Sequence, residues 1–78
     1  MNYENVLVDA VRVQCQKRYM TVDMDETYMV YGEKYSLTKL LKKIRESGAT
    51  WTAERLEKIL RSNDPVEAQT KIIEELRW

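Results

Sequence analysis

Apolar residues recur at helical spacing through the middle of the chain. Between residues 37 and 62 they stand three and four positions apart, which places them on one side of a helix. The residues that form this stripe are Leu37, Leu40, Leu41, Ile44, Leu56, Ile59 and Leu60. Gly48 divides the stripe and favours a left-handed helix end. We therefore expect helices over 37–47 and 53–62, packed against each other as a helical hairpin.

Three residues stand where a helix N-cap is expected. Ser36 and Thr52 each precede one of these helices, and each is flanked by apolar residues in the arrangement of a hydrophobic staple. Asp64 is followed by Pro65 at the first helical position, with a glutamate three residues after the cap. These signals predict a further helix over 65–77.

The first element is predicted to be a helix over 3–18, with Asn2 as its N-cap. Its apolar residues gather on one side of a helical wheel. A strand is the competing interpretation, because β-branched residues alternate with polar ones near its end. No Gly or Pro interrupts the first thirty residues, which favours one long element. The helical face comprises Tyr3, Val6, Leu7, Ala10, Val11 and Val13.

Residues 19–31 change character, being rich in the Tyr, Val, Thr and Met side chains that suit strands. The acidic run from Asp23 to Glu26 divides this segment and predicts the turn of a β-hairpin. Gly32 is expected to end it. Large apolar side chains fall on both faces, so one face should be exposed or covered by another chain.

Together these signals predict a single domain, 1–78, of the mainly α, α+β class. About four short helices should form a small bundle, with one β-hairpin between the first and second helix. A chain of 78 residues buries about 60% of the surface that its unfolded form exposes, so its core is thin.

The composition argues against several kinds of chemistry. Histidine is absent and glycine occurs twice, which removes histidine-based catalysis and glycine-rich phosphate loops. We therefore expect no enzymatic activity and no cofactor. The 13 basic and 13 acidic side chains cancel, so the whole chain has no net charge to attract nucleic acid or anionic membrane.

Cysteine use and hydropathy predict a cytoplasmic protein with no membrane association. Cys15 is the only cysteine, so the chain forms no internal disulfide. No run of 18 apolar residues occurs, and the N-terminal residues lack the basic start and apolar core of a signal peptide.

The acidic cluster of Asp23, Asp25 and Glu26 is a candidate for divalent cations. A calcium loop would need another acidic or amide residue and a glycine where Thr27 and Tyr28 stand. A solvated turn is the favoured interpretation, and we expect no metal site.

Tyrosine and tryptophan are numerous for so short a chain, and these residues anchor protein interfaces. The sequence therefore predicts a small non-catalytic interaction protein, a regulator or inhibitor that binds a protein partner or a second copy of itself. Its size and composition suggest an accessory protein of a phage or mobile element. The candidate binding residues are Tyr19, Met29, Tyr31 and Trp78.

The alternative is a DNA-binding regulator of the helix–turn–helix type that uses residues 36–62. Residues 33–64 carry eight basic and five acidic side chains, a local positive excess. However, glutamates precede bases by four residues on the second helix, and such pairs would repel phosphate. DNA binding is therefore our second hypothesis. Its candidate residues are Lys39, Lys42, Lys43, Thr50, Thr52, Arg55, Lys58 and Arg61.

Overall fold

The computed structural model describes residues 2–77, which form four helices and a two-stranded antiparallel hairpin. In this part of the chain no helix has the length and apolar character needed to cross a bilayer. The predicted fold class is confirmed, with the hairpin between the first and second helix. The elements are α1 (Tyr3–Gln16), β1 (Thr27–Val30), β2 (Glu33–Ser36), α2 (Leu37–Glu46), α3 (Thr50–Ser62) and α4 (Pro65–Leu76).

The core lies where the four helices meet. Helix α1 packs against α2 and α4, α3 packs against α2 and α4, and β2 lies against α2. The predicted stripe supplies most of the centre, and Ile59 is its one member left half-buried. The buried apolar residues are Leu7, Ala10, Val11, Tyr35, Leu37, Leu40, Leu41, Ile44, Ala53, Leu56, Leu60, Ala68 and Ile72.

Three of the four predicted N-caps are confirmed. The Asn2 side chain accepts a hydrogen bond from Asn5 N at 3.1 Å, and Ser36 Oγ accepts one from Lys39 N at 3.1 Å. Asp64 Oδ1 accepts from Glu67 N at 2.8 Å. Each bond satisfies a backbone donor that the first helical turn would leave unpaired.

The prediction that Thr52 caps α3 is wrong, because α3 begins at Thr50. Gly48, at φ +98°, ends α2 in a Schellman motif in which Gly48 N and Ala49 N donate back to carbonyls of the last turn of α2. The Ala49 carbonyl already accepts from Ala53 N at 2.9 Å. Ala49 therefore belongs both to the C-terminal motif of α2 and to the first turn of hydrogen bonds of α3.

Helix α1 also ends in a Schellman motif, but without a glycine. Arg18 N donates to Cys15 O at 3.0 Å and Tyr19 N donates to Gln14 O at 3.2 Å, which is again a Schellman pattern. Arg18 takes the left-handed position at φ +60°. The helix consequently ends at Gln16, two residues earlier than predicted.

The predicted position of the hairpin, 19–31, is wrong. Residues 19–22 form no strand, and the acidic run lies in the connection that precedes β1. The pairing partner of β1 is Glu33–Ser36, and the turn is Tyr31–Gly32, with registers from Thr27↔Ser36 to Val30↔Glu33. Glu33 and Lys34 have low strand propensity, so the sequence pattern did not indicate a strand at β2.

Candidate functional site

The hairpin turn holds a tyrosine in an unfavourable backbone conformation. Tyr31 has φ +50° and Gly32 φ +82°, the two positive values of a type I′ turn. Asn-Gly is the sequence that such turns prefer, because the left-handed region costs other L-residues about 1–2 kcal/mol. The Tyr31 side chain is 88% exposed, so little packing compensates this cost.

Strand β1 presents an unpaired edge. In a hairpin closed by a two-residue turn, the pair beside the turn exchanges both backbone hydrogen bonds, and alternate pairs follow. Val30 and Tyr28 therefore point their amide and carbonyl groups at β2, while Met29 and Thr27 point theirs outward. Among residues 2–77 no backbone or side-chain group outside the hairpin bonds to the Met29 backbone.

A groove of about 400 Å³ lies between this edge and helix α1. Its α1 wall includes Val6 and Val13, which the sequence pattern placed on the buried face and which remain half-buried. On the strand side Met29 is 64% exposed. We call Met29, Tyr31 and this groove the edge surface. The residues that line the groove are Val6, Asp9, Ala10, Val13, Tyr28, Met29, Val30 and Tyr31.

A buried glutamine connects helix α1 to the segment that precedes β1. Gln14 is fully buried, and its Nε2 donates to Asp23 O at 2.8 Å and to the Tyr28 hydroxyl at 2.7 Å. Its Oε1 accepts from Asp23 N at 2.9 Å. These bonds join α1, the preceding segment and β1, so they set the position of one wall of the groove.

Glu26 extends this network outward. Its carboxylate accepts from the Tyr19 hydroxyl and from the Tyr28 hydroxyl, the latter at 2.6 Å, and lies 3.4 Å from Lys17 Nζ. The hydrogen bonds from Tyr19 and Tyr28 lower the pKa of Glu26, since they stabilise its charged form. On β2, the Tyr35 hydroxyl donates to Glu33, which raises the pKa of Tyr35 to about 12.

The structure brings together two of the four predicted protein-binding residues. Met29 and Tyr31 both belong to the edge surface, and both are exposed. Tyr19 is half-buried, and its hydroxyl donates a hydrogen bond to the Glu26 carboxylate. Trp78 lies outside the described residues.

Four of the eight predicted nucleic-acid residues line two separate clefts. Lys42 and Arg61 line one cleft, between α2 and α3, together with the acidic Glu46 and Glu57. The other cleft is lined by Arg55 and Lys58 of α3, by Asn63 at the end of α3, and by Lys71 of α4.

Several of these bases already have partners. Arg61 Nε lies 3.0 Å from Glu57, as the sequence predicted, and Lys43 lies 3.8 Å from Glu46. Lys39 Nζ stands 4.7 Å from the centre of the Tyr35 ring. Thr50 is exposed and Thr52 half-buried, at the start of α3. The carboxylates beside Arg61 and Lys43 offset positive charge that phosphate would otherwise meet.

Arg55 makes the tightest of these pairs. It donates twice to the Glu75 carboxylate, at 2.9 and 3.2 Å, which raises the pKa of Arg55. Its guanidinium also lies 5.1 Å from the centre of the Trp51 ring. Trp51, the apolar residue that precedes the predicted cap Thr52, lies in the first turn of α3 and is 61% exposed.

Two of the three acidic candidates, Asp23 and Glu26, use carboxylate oxygens in hydrogen bonds within the chain. Asp23 Oδ1 accepts from Asp25 N at 2.9 Å and from Glu26 N at 3.2 Å, which closes a turn. Residues 2–77 contain no cluster of three or more His, Cys, Asp or Glu side chains placed to hold a metal ion.

Gln14 is the important residue that the sequence reasoning missed. It continues the line of Leu7 and Val11 along α1, so it falls on the buried face. A polar side chain on an apolar face must find hydrogen-bond partners there. The polar residue within an apolar stripe was therefore the sequence signal that could have identified Gln14.

Comparisons of this chain with models of protein families, with curated proteins and with solved structures find no match.

Proposed function

We propose that this chain is a small non-catalytic interaction protein, a regulator or inhibitor that binds a protein partner through the edge surface. The observation that carries the proposal is Tyr31, which is 88% exposed at a left-handed turn position. Residues held in unfavourable backbone conformations occur preferentially at binding and active sites. A large aromatic ring on the surface is also a typical interface anchor.

The neighbouring backbone offers a means of recognition. The outward amide and carbonyl groups of Thr27 and Met29 can pair with an extended segment, which would add a strand to the hairpin. The side chains of such a segment would lie over Val6 and Val13 in the groove. Backbone pairing would then contribute affinity, and the groove would contribute specificity.

The distribution of bases gives DNA binding less support. Four of the six candidate bases line two separate clefts, and four of the six contact carboxylates or an aromatic ring. A labelled duplex, titrated at low and at physiological salt and followed by fluorescence anisotropy, tests this alternative. Binding that weakens steeply with salt, and that Lys39→Glu with Lys43→Glu abolishes, would replace our proposal.

The direct test captures proteins from a host lysate with the immobilised chain and with Tyr31→Asn. Asparagine suits the type I′ turn but removes the ring, so the variant should fold at least as well and retain less partner. Met29→Lys should also reduce capture. Met20→Lys is the matched control, since Met20 is 89% exposed in the connection before β1. Equal capture by all four proteins would contradict the proposal.

A further inference from the structure

We propose that the partner of the edge surface is a second copy of this chain, joined by antiparallel pairing of the two β1 strands about a two-fold axis at Met29. This inference rests on the proposed function, because it names the occupant of the same surface. The product would be a four-stranded sheet in the order β2-β1-β1-β2.

The outward backbone groups of β1 are complementary to themselves. Met29 presents both its amide and its carbonyl, so with the axis at this residue it exchanges two hydrogen bonds with Met29 of the second copy. The same axis sets Thr27 opposite Tyr31 of the second copy. A surface that matches its own rotated image is what a two-fold dimer requires.

Charge distinguishes this edge from the other edge of the hairpin. The segment 27–32 contains no charged side chain, whereas β2 carries Glu33 and Lys34. Natural proteins protect strand edges with charges, prolines and bulges, and β1 has none of these. Two β1 strands can therefore pair without placing like charges opposite each other. The formal net charge of zero adds no repulsion between copies.

The side chains that would face each other across the two β1 strands also favour this pairing. Tyr28 of one copy would face Val30 of the other on the inner side of the sheet, an aromatic and β-branched combination that stabilises antiparallel pairs. On the outer side the two Met29 side chains would meet. Four-residue strands bury little area, so we expect a weak, concentration-dependent dimer.

Sedimentation equilibrium from about 5 µM to about 1 mM protein tests this inference. The mass of the unaltered chain should rise with concentration from 9.3 kDa toward twice that value. Met29→Lys should remain at 9.3 kDa, because two lysines would stand opposite each other at the axis. Met20→Lys should behave as the unaltered chain does. Far-UV circular dichroism verifies that each variant is folded.

A charge-complementation experiment tests the position of the axis. Met29→Glu should also be monomeric alone, whereas an equimolar mixture of Met29→Glu and Met29→Lys should form a heterodimer, since opposite charges then meet. If the unaltered chain stays monomeric up to the highest concentration, or if Met29→Lys dimerises equally well, the inference is wrong. Capture of another protein that still depended on Met29 and Tyr31 would leave the proposed function standing. If the chain stays monomeric and capture is also independent of Met29 and Tyr31, the proposed function is refuted as well.

Discussion

Residues 37–77 and residues 17–36 reach an ordered structure by different means. The first region consists of three helices whose apolar stripes meet in the core, with Gly48 at its one left-handed position. The second region buries one residue, Tyr35, and depends on hydrogen bonds between side chains and backbone. Its left-handed positions include Arg18 and Tyr31.

This difference shows where the chain accepts unfavourable local conformations. In the helical region the local preferences agree with the packing except at the start of α3, where Ala49 occupies the N-cap position and no side chain caps the helix. In residues 17–36 two exposed side chains occupy positions that glycine or asparagine would fill at lower cost. At Arg18 nothing in the structure explains the choice, whereas Tyr31 belongs to the edge surface.

Removal of a core leucine should affect the whole molecule. Leu40 is fully buried at the centre of α2, so Leu40→Ala should lower the free energy of unfolding by about 2–5 kcal/mol. Urea denaturation followed by circular dichroism measures the change. A loss below that range would mean that the helical region does not depend on its stripe.

Removal of Gln14 should affect the second region. Gln14→Ala leaves the Asp23 backbone groups without these partners, which should cost about 1–3 kcal/mol. NMR amide shifts should change most in residues 17–30. Gln16→Ala is the control, because Gln16 is exposed on the same helix and its loss should change stability by less than about 0.5 kcal/mol. Equal effects of the two substitutions would contradict the role given to Gln14.

The network around Glu26 should make stability depend on pH. Because the folded chain lowers the pKa of Glu26, its contribution is complete above the ordinary carboxyl pKa of about 4.3 and is lost as pH falls through the lower, folded value. Glu26→Gln should therefore flatten the acid side of the stability profile. Urea unfolding between about pH 2 and pH 7 measures it. Glu54→Gln, on the exposed face of α3, serves as control and should leave the profile unchanged.

The smallest effects should be gains in stability. Asparagine and glycine adopt the left-handed conformation at lower cost than tyrosine and arginine do. Tyr31→Asn and Arg18→Gly should therefore each raise the free energy of unfolding by about 0.5–1 kcal/mol. Thermal denaturation measures both under conditions where the chain is monomeric. Capture of a partner should fall for Tyr31→Asn and stay constant for Arg18→Gly. A loss of stability in Tyr31→Asn would instead indicate that the ring has a structural role.

The helices could be predicted because their signals are local. The spacing of Leu37, Leu40, Leu41 and Ile44 identifies one face within three turns, and the caps at Ser36 and Asp64 lie beside the residues that they bond. The prediction of a hairpin between the first two helices was also correct. Its position was not, since propensity favoured residues 19–22 as a strand over the charged Glu33–Ser36 segment.

Part of the edge surface could also be predicted from the sequence. Met29 and Tyr31 could be singled out as large apolar residues in a segment with apolar side chains on both faces. Their meeting with Val6 and Val13 could not, because that groove depends on how α1 lies relative to β1. Nor did the sequence show that Arg55 is bound by Glu75, twenty residues away on another helix.

Helical periodicity and capping act over three or four residues, so they predicted the four helices and six of their eight ends to within one residue. Tertiary structure decided which strand pairs with β1, which edge remains open and which side chains border it. Those outcomes depend on contacts between distant segments, such as the bonds of Gln14 to Asp23 and Tyr28. Packing energy, and not local preference, selects among such contacts.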